Sequence, residues 1–413
     1  MIGRPSILIV GSGISEEYRG YALRSVAEAY AVVLLDDAAP TWQRPLIAGS
    51  AQADLSDGPS AVHAALALAR SHPIAGVLSW DERRIELAAV IAAELGLPHS
   101  PPEAVRNCRD KWSARRLFDR AGVPSARARL VATLDQARAA AAAIGYPVVL
   151  KPRALAGSIG VVRADTEDAL EADWASVAGA TLTGIEASGE VLVEEYLDGP
   201  EFSVECLSQD GAVTALAVTR KSLGMAPYFE ELGHVVDAVD AAGKEEAAIA
   251  DAATDAVRAL GITTGATHVE VRLTTSGPRL VEVNARLGGD LIPHLVHLAT
   301  GIDLVRAAAD VAVGARPGLE PTSARSAGIR FVYPPHAGVV RELGSAPELS
   351  ADPRFSRLVW MSDPGDRVAL PPEEFVDRLG FLIGTGDSAQ AVTDFLGSAE
   401  AFLEVDVQPR SGA

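Results

Sequence analysis

The sequence predicts an α/β protein that opens with a parallel sheet and closes with a small α+β segment. Three observations carry this expectation. Over the first hundred residues, short apolar strands alternate with Ala-rich helical stretches, the pattern of parallel βαβ units. From 147 to 286, strand-like runs with polar–apolar alternation dominate. From about 318 to the C-terminus come turn-rich strands and a helix near 388–397, capped by Asp387 or Ser388.

Taken in order, strands are expected at 7–10, 32–35 and 76–78, with helices over 20–30 and 61–70. The loop Gly11-Ser12-Gly13 follows the first strand but is no dinucleotide fingerprint. The position of its third glycine holds Glu16, and a carboxylate there repels a pyrophosphate. A tight structural turn is the better reading. The run Leu97-Pro98-His99-Ser100-Pro101-Pro102 marks a boundary. A helix over 109–121 comes next, stopped by Gly122 with Pro124 beyond. Strands then fall at 148–151, 191–193, 202–207, 213–218 and 269–273, and helices at 166–177 and 245–260.

Composition removes several function classes. A net charge of −19 disfavours nucleic acid and anionic membrane surfaces as partners. No apolar run approaches the ~20 residues of a membrane span. The N-terminus reads as a strand rather than a leader, so a cytoplasmic protein is expected. Cys108 and Cys206 make neither a disulfide framework nor a cysteine metal site and are expected as buried thiols. Of the 36 basic residues only four are lysines, Lys111, Lys151, Lys221 and Lys244. Each is therefore worth inspecting.

Four constellations carry chemistry. The strands 268–273 and 280–286 flank the turn Thr275-Ser276-Gly277-Pro278. Folding that hairpin sets Glu270 opposite Glu282 and puts Glu282, Asn284 and Arg286 on one face. Hard oxygen donors of this kind suit Mg²⁺ or Mn²⁺ bound together with phosphates. A strand ending in Lys151 leads into Ala156-Gly157-Ser158-Ile159-Gly160, whose backbone N–H groups could face a phosphate. The segment Glu194-Glu195-Tyr196-Leu197-Asp198-Gly199-Pro200-Glu201 could hold an adenine by its backbone and ribose hydroxyls by Glu201. Lys111 sits in the first turn of its helix, where the dipole disfavours a cation unless an anion lies near. Taken singly, each is as well explained by a solvated hairpin, turn or helix end.

Taken in order over about 100–300, the four together resemble the ATP-grasp superfamily of carboxylate–amine ligases. The resemblance implies a Rossmann-like domain over 1–104, an ATP-grasp domain over 105–315 with a lid at about 124–196, and a small C-terminal α+β domain over 316–413. It further implies that Lys111 and Lys151 contact ATP phosphates beneath a flap at Gly157, Ser158 and Gly160. Glu194, Glu195, Leu197 and Glu201 would border the nucleoside. Glu270, Glu282 and Asn284 would hold two Mg²⁺ (or Mn²⁺) ions.

Within that superfamily the chain looks most like the L-amino-acid ligases. Pro227-Tyr228-Phe229-Glu230-Glu231-Leu232-Gly233-His234 resembles their substrate loop, in which Glu231 and His234 face the amino acid. Arg286 matches the arginine taken to stabilise the acyl phosphate and tetrahedral intermediate, and His234 is a candidate acceptor for the amine proton. Asp290 stands where an aromatic is found in the best-known dipeptide ligase of the group, and is expected to meet a cationic or amine-bearing part of one substrate. The partners implied are a small-molecule carboxylate and an amine, and relatives are often homodimers. A bicarbonate-using carboxylase of the biotin or purine type, or an ATP-binding module without catalysis, stays open at this point.

Overall fold

The computed structural model describes residues 4–13, 15–155, 157–182, 189–238, 243–375 and 377–410. Strands β1 (Ser6–Val10), β2 (Ala31–Asp36), β3 (Ile47–Gln52) and β4 (Ile74–Leu78) form a parallel sheet in the order β3-β2-β1-β4. Every residue of β1 is buried because helices cover both faces of the sheet. Ile7 and Ile9 pack with Leu23 and Val26 of α1 (Glu16–Ala29). Leu8 and Val10 pack on the opposite side, with Ala61 and Ala65 of α2 (Gly58–Ser71) and Ile91 of α3 (Ile85–Glu94). The Gly-Ser-Gly turn is structural, as expected. The Ser12 amide and hydroxyl both donate to Asp36, at 2.9 and 2.7 Å. Around this first sheet two elements went unread in the sequence, β3 and α3. The first is built of small residues, and the second is too apolar all round to show a face.

The helix expected over 109–121 is α5 (Lys111–Ala121), and a further short helix, α4 (Pro102–Arg109), precedes it. They separate because Asp110 is extended and accepts from the Trp112 and Ser113 amides, capping α5. Gly122, at φ +71°, stops α5 in the left-handed region. Next come β5 (Ala128–Val131), α6 (Leu134–Ile144), β6 (Val148–Pro152), β7 (Val162–Ala164), α7 (Glu167–Ala178) and β8 (Val191–Glu195). These strands make an antiparallel sheet, β5-β8-β6-β7, whose core forms against α6 and α7.

The central sheet begins with β9 (Glu201–Gln209), β10 (Ala212–Gly224), β11 (Glu230–Asp237), β12 (Gly265–Thr274) and β13 (Gly277–Asn284). The C-terminal third contributes β14 (Ser326–Val332), β15 (Gly338–Ser345), β16 (Phe355–Trp360), β17 (Arg367–Val368), β18 (Gly380–Gly386) and β19 (Leu403–Pro409). Of these, β14, β18 and β16 extend the central sheet to eight antiparallel strands, β13-β12-β9-β10-β11-β14-β18-β16. The others form a three-stranded sheet, β17-β15-β19. Helices α8 (Lys244–Ala259), α9 (Ile292–Thr300), α10 (Leu304–Ala312), α11 (Pro347–Ala351) and α12 (Ala389–Ala399) complete the order, with Ser388 rather than Asp387 capping α12.

One expectation is corrected. The segment bearing Glu231 and His234 is strand β11, not a loop, and it pairs with both β10 and β14. Its acids escape notice as strand formers, but ion pairing within the sheet stabilises them there.

Cys108 and Cys206 are buried free thiols, as expected. Burial pushes both up, Cys206 to about 12. A thiol reagent at pH 8 is therefore expected to leave both unmodified in the folded protein and to titrate two thiols after denaturation. Rapid labelling of the native chain is the contrary result.

Candidate active site

One face of the central sheet carries most of the site. Register alone brings the polar residues into rows. Along the β9–β12 pair, Glu205 lies opposite His268, Ser203 opposite Glu270 and Glu201 opposite Arg272. Along β12–β13, His268 lies opposite Asn284 and Glu270 opposite Glu282. Along β10–β11, Lys221 lies opposite His234 and Leu223 opposite Glu231. Leu232 has no partner in that ladder. In a regular strand Glu231 and His234, three apart, would face opposite sides; the bulge sets them on the same side.

These rows floor a cavity of about 280 Å³, which the β5–β8 sheet walls on its other side. Lys111, Lys151, Gly157, Ser158, Glu194, Glu195, Leu197, Glu201, Glu231, Glu270, Glu282, Asn284, Arg286 and Asp290 all border it. Gly160 does not. A Cβ there would lie 2.7 Å from Ala180, so it packs inward at the base of its loop. His234 is buried behind Glu231 and Asp290. Ala156 lies outside the described residues. Ser158 fastens the loop tip to β11 by donating to the Phe229 carbonyl at 3.3 Å.

At the end bordered by residues 194–201, the cations already have partners. Lys111 Nζ lies 3.2 Å from Glu282 and donates to the Leu155 carbonyl at 2.6 Å. Glu282 is thus the anion that a lysine in a first helical turn calls for. Lys151 Nζ lies 2.6 Å from Glu194, which also takes a bidentate pair from Arg115 at 2.8 and 3.0 Å. Burial alone would raise the Glu194 carboxyl, but Arg115 and Lys151 hold it below the usual carboxylate range. Glu195 pairs with Arg127 and Arg279. Glu201 pairs with Arg272 at 2.9 Å, and the Leu197 carbonyl accepts from Arg272 at 2.8 Å. Gly199 permits this turn because a Cβ there would lie 2.0 Å from the Leu273 carbonyl.

Near the hairpin's end, Glu282 and Asn284 meet a residue from the first sheet. Glu82, just beyond β4, lies 2.6 Å from Arg286 Nε. With its amide nitrogen turned inward, Asn284 donates to Glu282 at 3.1 Å and Glu82 at 3.3 Å. Turned the other way, its oxygen joins two carboxylates, an arrangement stable only around a cation. Such a donor set fits Mg²⁺ or Mn²⁺. Behind it, His268 lies 2.5 Å from Glu205, and that pairing overcomes burial to lift its imidazole to about 9.

Asp290 marks the opposite end of the cavity and is corrected here. Its expected cation is supplied by the chain itself. Arg378, from the segment before β18, binds both Asp290 oxygens at 2.7 and 2.9 Å, stacks on Phe331 and donates to the Tyr333 hydroxyl. Asp290 and Leu291 both sit at positive φ, 52° and 57°, a strain of roughly 1–3 kcal/mol each that the clamp secures. His234 Nε2 lies 3.1 Å from Glu231 and 3.5 Å from Asp290. Burial opposes its charge, but the two acids raise its pKa above the ordinary value.

Glu82, Arg115, Arg272 and Arg378 went unread in the sequence. Only Glu82 carried a signal, because it follows the carboxyl end of a parallel strand, where such sheets place ligands. The arginines are remote in sequence from the acids they serve.

Two segments of the chain match known families. Residues 144–294 match the ATP-grasp domain, and residues 330–408 match the L-amino acid ligase C-terminal domain 2. The chain is 31% identical over 252 residues to alanine–anticapsin ligase of Bacillus subtilis (strain 168), covering 56% of this chain and 52% of that one. It is 30% identical over 288 residues to carnosine synthase 1 of Homo sapiens, covering 64% of this chain and 34% of that one. The chain thus spans about half and a third of these two relatives. The crystal structure of an L-amino acid ligase from Bacillus licheniformis superposes with a TM-score of 0.81 at 24% identity, over 98% of this chain and 99% of that one. Residues 144–294 thus form an ATP-grasp domain, in a chain whose overall fold is that of the solved L-amino acid ligase. Residues 330–408 carry the C-terminal domain of the L-amino acid ligases.

The Asp290–Arg378 clamp predicts a specific stability pattern. Asp290→Asn leaves a buried guanidinium without its carboxylate and is expected to cost about 3–5 kcal/mol in urea unfolding. Replacing both residues by leucine is expected to recover most of that loss. A single substitution that leaves the unfolding midpoint unchanged would show the clamp to be inert.

Proposed function

We propose that the chain uses ATP to activate a carboxylate, most readily that of an amino acid, as an acyl phosphate and joins it to an amine, releasing ADP and phosphate. The observation that carries this reading is the composition of one cavity. Lys111, Lys151 and Arg286 line it together with the oxygen donors Glu270, Glu282 and Asn284, and Glu231 borders it with His234 behind.

A carboxylate is a poor electrophile, and phosphorylation supplies its leaving group. In the first step the substrate carboxylate oxygen attacks the γ-phosphorus of ATP and the bond to ADP breaks. Here the protein mainly positions the reactants and neutralises charge. Lys111 and Lys151 exchange part of their pairing with Glu282 and Glu194 for phosphate oxygens. Two Mg²⁺ or Mn²⁺ ions, held by Glu270, Glu282 and Asn284, would supply further neutralisation of the phosphates. Glu194, Glu195, Leu197 and Glu201 border the nucleoside, and the loop bearing Gly157, Ser158 and Gly160 covers the phosphates.

In the second step the amine attacks the carbonyl carbon, the oxyanion forms beside Arg286, and phosphate departs with the bond to carbon. Glu82 keeps the Arg286 guanidinium aimed. The ammonium of an amino-acid substrate can pair with Glu231, and His234 in its neutral form can take the proton that the attacking amine gives up. The substrates are small molecules, and a cytoplasmic setting, where ATP is available, suits the reaction.

Phosphate release across a matrix of amino acids and amines, with product mass determined for active pairs, tests this reading. Release is expected only when carboxylate and amine are both present. Release driven by bicarbonate alone would replace it with a carboxylase. Glu282→Ala is expected to lower turnover about a hundredfold or more with every pair, and retained turnover would remove Glu282 from the cation site.

A further inference from the structure

Lys221 is a deeply buried charged group at the site, and the reaction outlined above gives it no task. Its side chain is 1% exposed, and Nζ lies 2.5 Å from Glu231, 2.7 Å from Glu270 and 3.2 Å from Glu201. These acids arrive on three different strands, β11, β12 and β9. An ammonium has three protons, so three acceptors saturate it and leave none for a substrate. The same ammonium is what lets three carboxylates converge away from water, since each charge buried alone is costly.

The Glu270 contact has a particular consequence. Lys221 holds Glu270 Oε1, one of the oxygens offered to a divalent cation, and His268 Nε2 lies 3.4 Å from the same atom. A divalent ion on Glu270 brings like charge close to Nζ in a poorly screened place. The two therefore compete for one carboxylate. Glu231 and Glu201 remain to receive the ammonium when the ion wins.

We propose that Lys221 is a positioning residue that keeps Glu270 in place as a stand-in cation until a divalent ion takes it over, and then turns to Glu231. Ion loading thereby firms the carboxylate beside His234 and Asp290 at the far end of the cavity. The inference rests on the reading of Glu270 and Glu282 as ion ligands.

The test is titration of the full chain with Mn²⁺ in the presence of ADP, following free Mn²⁺ by electron paramagnetic resonance. Lys221→Met is expected to tighten Mn²⁺ about tenfold, because a competing charge has gone. Its melting temperature is expected to fall in chelator and to approach that of the unmodified protein in saturating Mn²⁺. Unchanged or weaker Mn²⁺ binding, or an equal melting deficit with and without the ion, overturns the proposal and makes Lys221 a passive support. Should the methionine variant not fold, Glu231→Gln gives a second reading. With one acid fewer, more of the ammonium rests on Glu270, and Mn²⁺ is expected to weaken about threefold; unchanged affinity overturns the proposal. Glu282→Gln separates the two levels. If it leaves Mn²⁺ binding unaltered, the ligand assignment itself fails, and the role of Lys221 with it.

Discussion

Buried charge must be matched locally, and in this protein the matching decides where nearly every functional side chain stands. Glu194 stays ionised away from water because Arg115 and Lys151 clasp it. Glu201, Glu231 and Glu270 share Lys221, and Asp290 has Arg378. Each pair joins different elements, so the pairs also fasten sheet to helix and first sheet to last. The net stability such pairs give is modest, since desolvation offsets much of the attraction. Their larger effect is to fix geometry, because a wrong arrangement strands a charge. An overall charge of −19 makes this requirement sharper. Three of its four lysines, Lys111, Lys151 and Lys221, line the cavity where its acids converge.

Much of this was legible in the residues themselves, for reasons that differ by element. Period-two alternation in 268–273 and 280–286 specified the hairpin and set Glu270 against Glu282, the pairing the strands adopt. The stop at Gly122 and the turn at Gly11-Ser12-Gly13 depended on local backbone chemistry, which sequence carries directly. Lys111 announced an anion by standing where the helix dipole disfavours it, and that anion is Glu282. Each of these follows from neighbours within a dozen or so residues or from a regular repeat.

What escaped notice depends on distance along the chain. Arg378 meets Asp290 across 88 residues, and Arg286 meets Glu82 across 204. No local pattern announces such partners. Asp290 was expected to await a substrate cation because its own arginine could not be seen. The bulge at Leu232 was equally hidden, since one extra residue in a ladder is defined only by the strand it fails to match. The strand β11 reads as a loop because Glu230 and Glu231 are poor strand formers in isolation, and the counter-charge of Glu231 lies on the neighbouring strand.

The eight-stranded sheet has a mechanical consequence. Hydrogen bonding runs unbroken from β13, which carries Glu282 and Asn284, through β11 with Glu231 and His234, to β18 just beyond Arg378. The floor of the cavity and its end wall are thus parts of one girder, and a hinge between them would have to break a ladder. Among the described residues the β5–β8 sheet shares no ladder with that girder; beside it lie only a single bridge, Ser125 to Leu280, and the bond that the Arg163 amide donates to the Pro227 carbonyl. Any widening of the cavity falls on that seam. Such an opening would lift Lys151 and the loop at Gly157 while the acids below keep their spacing.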